Sequence, residues 1–173
     1  MFPAVGGSAT CVTVLTEGRF SSRGQALLAA LSRGAPNMAT FLANPSMPEP
    51  ELAAIVSAMK DCKQTYVAAF ITVAAYRGSV ALEGGLSGFM NSLIQTSPAV
   101  ALISLGNPYL LRNFPGVSAY LATFSPSSTS EIAAAKAILG QIRIQGRLPI
   151  SIPGLAARGD GIQVTNLITR ASQ

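Results

Sequence analysis

Histidine and tryptophan are absent from this sequence of 173 residues, and cysteine occurs only twice. Without histidine the chain cannot form a Ser-His-Asp or Cys-His catalytic relay, or a histidine-ligated zinc site. Two cysteines, Cys11 and Cys62, are too few for a disulfide-rich scaffold or a four-cysteine metal site. We interpret them as reduced, buried thiols, with a Cys11–Cys62 bridge as the alternative. The sequence therefore predicts no metal site and no cofactor.

Charged residues are also scarce, at 11% of the chain against about 25% in an average protein. Apolar residues reach 49%, which excludes a disordered chain and indicates that something else covers part of the surface. The net charge of +5 comes from scattered residues rather than from a basic stripe, so nucleic-acid binding is not expected.

Targeting segments are not evident either. The first residues lack a basic stretch followed by an apolar one, which a signal peptide requires. The longest uncharged run, 84–111, is interrupted by asparagine, glutamine and proline, so it does not predict a membrane span of ~20 apolar residues. A cytoplasmic location is expected if Met1 is the native start.

Short β-rich runs alternate with amphipathic helical patterns along the chain. Strands are predicted at 11–16, 38–43, 66–75, 99–105 and 117–124, with an edge strand at 148–152, and helices at 25–33, 48–62, 86–95 and 131–139. The runs at 66–75 and 99–105 are apolar throughout, as in strands buried on both faces of a parallel sheet. A capping box from Ser128 to Glu131 is predicted to open the last helix.

This order predicts a single α/β domain over residues 1–173, with a core at about 10–155 and tails at 1–8 and 156–173. The expected fold is a doubly wound, mostly parallel open sheet of five to six strands, with helices on both faces in flavodoxin-like layering. Ligands of such sheets bind at the carboxyl ends of the strands. The nearest approach to a nucleotide motif, GGLSG at 84–88, lacks the full GxGxxG pattern.

Glycoside hydrolysis normally requires two carboxylates that flank the scissile bond. Four of the seven carboxylates lie at predicted helix ends, where capping, the helix dipole or solvation explains them. Glu83, in the long loop after a central strand, is the best remaining candidate for an acid, and a solvated loop residue is the alternative. Arg77, in the same loop, is interpreted as a partner of Glu83 or of a ligand carboxylate, or as half of a surface ion pair.

The second half of the chain carries a series of ordered motifs: VAAFITVAAYR at 67–77, PAVALISLGNPYLL at 98–111, FPGV at 114–117, AYLATFS at 119–125 and GRLPISIP at 146–153. With these motifs it resembles the C-terminal domain of glycoside hydrolase family 3, and the β-N-acetylhexosaminidase branch of that family gives the nearest pattern. These pieces stand in the order and spacing of the family. The match covers 64–161 well and 10–63 more loosely.

The resemblance implies part of a two-domain enzyme that hydrolyses O-glycosyl bonds. A TIM-like barrel carries the nucleophilic aspartate, and an α/β sandwich follows it; this chain resembles the sandwich alone, without the barrel and its nucleophile. The β-glucosidase branch can supply a glutamate acid/base from the second domain, in roughly the region of Glu83, although the surrounding residues differ. Asn107 and Tyr109 lie in a family motif and are, with Arg77, candidate substrate-binding residues, while turn geometry and packing also explain them.

Three functions are compatible with these patterns. The first is an accessory domain, inactive alone, that packs on a family 3 catalytic barrel in cis or in trans and helps to shape the cleft for a carbohydrate substrate. The second is a free-standing flavodoxin-like module that binds a small ligand. The third is an independent hydrolase that uses a loop serine and a carboxylate. An isolated domain with an apolar docking face is also expected to form a homo-oligomer.

Overall fold

The structure, a computed structural model, describes residues 9–71 and 82–164. The described strands are β1 (Thr10–Leu15), β2 (Ala39–Ala43), β3 (Gln64–Ile71), β4 (Val100–Gly106) and β5 (Ala119–Ala122). The α-helices are α1 (Gln25–Gly34), α2 (Glu49–Ala58), α3 (Leu86–Thr96) and α4 (Ser128–Ile138), and a 3-10 helix spans Pro108–Asn113. The predicted strand 66–75 runs past residue 71, so its end lies outside the described residues.

All five strands are parallel and lie in the order β2-β1-β3-β4-β5. Helices α1 and α4 pack together on one face of the sheet, and α2 and α3 pack together on the other. The predicted doubly wound α/β fold is therefore confirmed, with β3 at the centre of the sheet between β1 and β4. No helix in the described part of the chain is long and apolar enough to cross a membrane.

Alternation along β3 divides the core into two layers. Val67 and Ala69 face the α2 and α3 side, whereas Tyr66, Ala68 and Phe70 face the α1 and α4 side, and all five are buried. Successive side chains of a strand point to opposite faces, so a strand covered on both faces must be apolar throughout. Burial on both faces thus explains the unbroken apolar run from which β3 was predicted.

Cys11 and Cys62 form a disulfide bond, so the interpretation as reduced thiols is wrong and its alternative is confirmed. Cys11 lies in β1, and Cys62 lies in the connection between α2 and β3. Their Cα atoms are 5.9 Å apart, within the range that a disulfide spans. The fold creates this proximity between residues 51 positions apart, and the composition of the chain does not reveal it.

The start of α4 differs from the predicted capping box by one residue. Ser127, not Ser128, is the N-cap, and its hydroxyl oxygen accepts a hydrogen bond from the Ser130 amide. Glu131, which is 4% exposed, does not close a local box. Its Oε2 atom accepts a hydrogen bond of 3.1 Å from the Leu27 amide in the first turn of α1.

Residues 144–164, which follow α4, form what we call the C-terminal ribbon. Ile144 and Val164 exchange two backbone hydrogen bonds as an antiparallel bridge, and the Leu148 amide donates to the Asp160 carbonyl at 2.8 Å. Leu148 is not part of a strand of the sheet, so the prediction of an edge strand at 148–152 is wrong. This segment finds its described backbone partners in the chain that follows it instead of on β5. The division into core and tails stays a prediction.

Candidate functional site

The carboxyl ends of the five parallel strands place their loops at one edge of the sheet, which we call the carboxyl edge. The strand order reverses between β1 and β3, and open α/β sheets bind ligands in the crevice at such a point. The loop after β1 is described in full, whereas residues 72–81, which follow β3, lie outside the described residues. Arg77 is among these, so its predicted role and its pairing with Glu83 stay predictions.

The loop after β1 carries one ion pair and one exposed aromatic ring. Arg23 Nε and Glu17 Oε2 lie 3.2 Å apart at the surface, and Phe20 is 95% exposed. The loop ends at Gly24, whose φ of 88° is in the left-handed region, and a Cβ at this position would lie 2.5 Å from Cγ1 of Val14. A side chain at this position would therefore be strained and would collide with β1.

A carboxylate from another helix already contacts the first turn of α1. A helix N-terminus in this position often holds a phosphate, because its free amides and the helix dipole favour an anion. Here the Glu131 carboxylate reaches across from α4 and accepts the Leu27 amide. A bound anion at this helix end would have to displace or adjoin that carboxylate.

Glu83 is exposed on the carboxyl edge, and two glycines separate it from the first residue of α3. Its carbonyl oxygen accepts the Leu86 amide at 3.2 Å, which fixes the entry into the helix. The next residue, Gly84, has φ +56°, and a Cβ there would lie 2.5 Å from the Pro45 carbonyl oxygen. Glycine thus lets the Glu83 loop pack against the loop after β2. The assisting acid/base role of Glu83 stays a prediction.

Asn107 and Tyr109 follow β4 in the chain. β4 pairs with β3, the strand that precedes Glu83. Asn107 is only 7% exposed, and its Oδ1 accepts the Tyr109 amide at 2.9 Å as the N-cap of the 3-10 helix. Its carbonyl oxygen accepts the buried Ser104 hydroxyl. The structure thus gives Asn107 a capping role, and only Tyr109 offers an exposed side chain. Substrate binding by either residue stays a prediction.

Tyr120 ties the same turn to β5. Its hydroxyl donates to the Pro108 carbonyl at 2.8 Å. Burial raises the pKa of Tyr120 to about 12, although a hydrogen bond with Ser104 acts in the opposite direction. The phenol is therefore neutral at ordinary pH and acts as a donor that holds the loop.

A groove that the sequence patterns did not predict lies between β5 and the C-terminal ribbon, and its volume is about 700 Å³. The lining is mainly apolar with one arginine and one aspartate: Ser118, Ala119, Tyr120, Leu121, Ala122, Phe124, Ile144, Gly146, Arg147, Leu148, Pro149, Asp160, Gly161, Ile162 and Val164. Phe124 has a φ of 57°, which is uncommon for a residue other than glycine. Because its walls come from distant segments, no local motif could have indicated this groove.

Carboxylates and cysteines do not gather into a site within the described residues. No group of three or more His, Cys, Asp or Glu side chains there is arranged to hold a metal ion. Glu17 pairs with Arg23, and Asp160 Oδ2 accepts the Ala157 amide at 2.8 Å. The carboxylates of Glu17, Glu131 and Asp160 therefore serve structural contacts in different parts of the molecule.

Comparison with solved structures supports the resemblance in the sequence at the level of the fold. A fungal multi-domain family 3 β-N-acetylglucosaminidase matches 91% of this chain with a TM-score of 0.69 and 17% identity. A family 3 β-N-acetylglucosaminidase from a Paenibacillus strain matches 84% with a TM-score of 0.65 and 19% identity. The β-glucoside phosphorylase BglX matches 85% with a TM-score of 0.56 and 13% identity.

These matches concern only a small part of the other proteins. The chain covers 17% of the fungal enzyme and 28% each of the Paenibacillus enzyme and of BglX. No protein-family model matches the chain. No curated protein matches it either. The structural likeness, at these identities, establishes a shared fold.

Proposed function

We propose that this chain is the α/β domain of a multi-domain family 3 glycosidase of the β-N-acetylglucosaminidase type. In this proposal it packs on a catalytic barrel and helps to shape the sugar cleft. The observation that carries the proposal is the coverage: regions that match 91% and 84% of this chain make up only 17% and 28% of two such enzymes. In this proposal the rest of the protein carries out the reaction itself.

The distribution of carboxylates supports an accessory role. Glycoside hydrolysis needs an acid and a second carboxylate about 5–9.5 Å apart across the bond. Glu131 is buried against α1, and Glu17 pairs with Arg23. Glu83 is the carboxylate of the carboxyl edge that we propose to reach a sugar bound on the barrel. The nucleophile then comes from the barrel.

The carboxyl edge is the surface that we propose to face the barrel. Phe20, after β1, and Tyr109, after β4, are exposed aromatic residues on this edge. Glu83 is exposed in the connection between β3 and α3. Exposed apolar patches mark interaction surfaces, and tyrosine is frequent among the residues that dominate binding energy. Tyr109 also offers a hydroxyl group for a hydrogen bond to a sugar.

The runner-up, a free-standing module that binds a small ligand, is less well supported. Phosphate-bearing ligands of such folds depend on the free N-terminus of the first helix. In this chain the Glu131 carboxylate holds the Leu27 amide there and adds a negative charge. An anionic ligand at that position would meet electrostatic repulsion.

Hydrolysis of an aryl β-N-acetylglucosaminide and an aryl β-glucoside tests the proposal. The purified chain should show no turnover alone, and it should restore or increase turnover when a matching family 3 barrel domain is added. Glu83→Gln should lower the rate of the mixture about 10²-fold, the usual contribution of a positioned acid or base. Glu51→Gln, at an exposed position of α2, is the matched control and should leave the rate unchanged.

Two results would contradict the proposal in different ways. Turnover by the chain alone, lost in Glu83→Gln, would mean that the domain holds a complete catalytic site. Saturable binding of a sugar by the chain alone, with no response to any barrel, would favour the free-standing binding module.

A further inference from the structure

The groove between β5 and the C-terminal ribbon plays no part in the proposed function. Five successive residues, Ser118, Ala119, Tyr120, Leu121 and Ala122, all contribute to its wall. Successive side chains of a strand point to opposite faces of the sheet, so a cavity that touches all five lies along the edge of the strand. Among the strands of residues 9–71 and 82–164, β5 is at one end of the sheet, with β4 on its other side. Within this part of the chain, the groove is therefore open to the hydrogen-bonding edge of β5.

The opposite wall is the ribbon, whose described backbone hydrogen bonds join its own two arms rather than β5. Nine ribbon residues line the groove: 144 and 146–149 from one arm, and 160–162 and 164 from the other. The two arms bond to each other through Ile144 and Val164 at one end and Leu148 and Asp160 at the other. The ribbon thus covers the edge of β5 at a distance and leaves about 700 Å³ between them.

Glycine keeps the ribbon flat beside the groove. A Cβ on Gly161 would collide with the carbonyl oxygen of Gly146 across the ribbon. A Cβ on Gly146 would meet nothing within 4 Å, and its φ is not in the left-handed region. A side chain at Gly146 would therefore enter open space in the groove without straining the backbone.

Arg147 is part of the groove's lining, and two further arginines lie within two residues, in the sequence, of residues that line it. Arg143 precedes Ile144 at one end of the ribbon, and Arg147 and Arg158 lie beside the Leu148–Asp160 end, all three exposed. Asp160 is the single carboxylate of the ribbon, and its Oδ2 accepts the Ala157 amide. An occupant with carboxylates at its two ends would complement this arrangement.

We propose that this groove binds an extended peptide as an added strand on β5, with apolar side chains at alternate positions and acidic residues at both ends. The exposed strand edge supplies main-chain hydrogen bonds, as in other cases of strand addition, and the apolar wall accepts alternate side chains. Four residues of β5, at about 3.3 Å per residue, match a short segment of this kind. The proposal does not depend on a glycosidase function.

The probe is the peptide Asp-Val-Thr-Val-Thr-Val-Glu, acetylated, amidated and fluorescently labelled, with anisotropy as the readout. We expect saturable binding to the full chain that weakens with added salt, because exposed arginines supply part of the attraction. Gly146→Leu, which fills the groove, should weaken binding about tenfold or more. Gly88→Leu is the matched control, because a Cβ there also meets nothing within 4 Å but lies on α3. It should leave binding unchanged.

Two further measurements define the occupant and its position. A peptide with lysine in place of both acidic residues should bind about tenfold more weakly or not at all. Hydrogen exchange at Ala119–Ala122 should slow when the acidic peptide is bound. Absence of saturable binding, or equal binding by Gly146→Leu and Gly88→Leu, would overturn the proposal. A dimer of the chain that Gly146→Leu dissociates would also overturn it, because a second copy would then occupy the groove.

Discussion

Glu131 is the residue whose role depends most on tertiary structure. Its carboxylate is 4% exposed and accepts the Leu27 amide, 104 positions away in the sequence. This is a capping interaction supplied by another helix, since Gly24, the N-cap of α1, has no side chain to offer. The contact fixes α4 against α1 on one face of the sheet.

Glu131→Ala should reduce the free energy of unfolding by about 1–3 kcal/mol, because it leaves a buried amide without an acceptor. Glu131→Gln should cost less, since its side-chain carbonyl can still accept the Leu27 amide. Urea denaturation followed by circular dichroism measures both. Glu51→Ala, exposed in the first turn of α2, is the control. Equal losses in Glu131→Ala and Glu51→Ala would show that the cross-helix cap contributes nothing.

Tyr120 should make stability depend on alkaline pH. Burial raises the pKa of Tyr120 from 10.0 to about 12. Between these values the folded chain keeps a proton that the unfolded chain releases, so the free energy of unfolding falls as pH rises through this range. Burial also raises the pKa of Tyr66, which contributes in the same direction.

Tyr120→Phe should therefore flatten this fall in stability when urea denaturation is compared at several pH values between about 9 and 12. The comparison uses the slope with pH, since the variant also loses the hydrogen bond to the Pro108 carbonyl at every pH. Parallel curves for the two proteins would mean that the Tyr120 hydroxyl ionises equally in both states.

At the scale of elements, the disulfide ties β1 to the connection between α2 and β3. The double variant Cys11→Ala, Cys62→Ala should unfold about 2–4 kcal/mol more easily, as expected for a bridge that closes a long loop. Urea denaturation in the presence of a reductant should give a lower free energy of unfolding for the parent protein, because the bridge is then reduced. The same reductant should leave the free energy of unfolding of the double variant unchanged. Equal stability of the oxidised parent and the double variant would contradict a stabilising role.

The order and type of these elements could be predicted because local patterns determine them. Unbroken apolar runs predicted β3 and β4, because these strands are buried on both faces. Amphipathic spacing predicted α1 and α3, because each helix buries one side. Contacts made over long distances in the sequence could not be predicted in the same way. The bridge between Cys11 and Cys62 and the cross-helix cap at Glu131 both need the folded chain to bring their partners together.

The candidate site shows the same limit. The patterns indicated that Glu83, Asn107 and Tyr109 follow parallel strands, and the structure places all three in the loops of one edge. They did not indicate that Asn107 is a buried helix cap, because an Asn-Pro pair fits both a turn and a binding loop. The groove beside β5 escaped prediction because it joins residues 118–124 with 144–164.

At the scale of the whole molecule, the exposed apolar side chains decide what the domain associates with. Phe20 is 95% exposed on the carboxyl edge, and Ile162 is 85% exposed on the C-terminal ribbon. If the carboxyl edge faces a catalytic barrel, Phe20→Ser should weaken association with that barrel about tenfold or more, as for an aromatic anchor at an interface. Ile162→Ser, also at a highly exposed position but on the ribbon, should leave the affinity unchanged.

Isothermal titration of the chain with the barrel domain measures this difference directly. Both substitutions replace a solvated ring or alkyl chain, so urea denaturation should show stabilities within about 0.5 kcal/mol of the parent. The expected self-association of the isolated chain should also weaken in Phe20→Ser, because the second copy and the barrel would compete for the same apolar edge. A loss of barrel affinity in Ile162→Ser alone would place the docking surface on the ribbon and exclude the carboxyl edge.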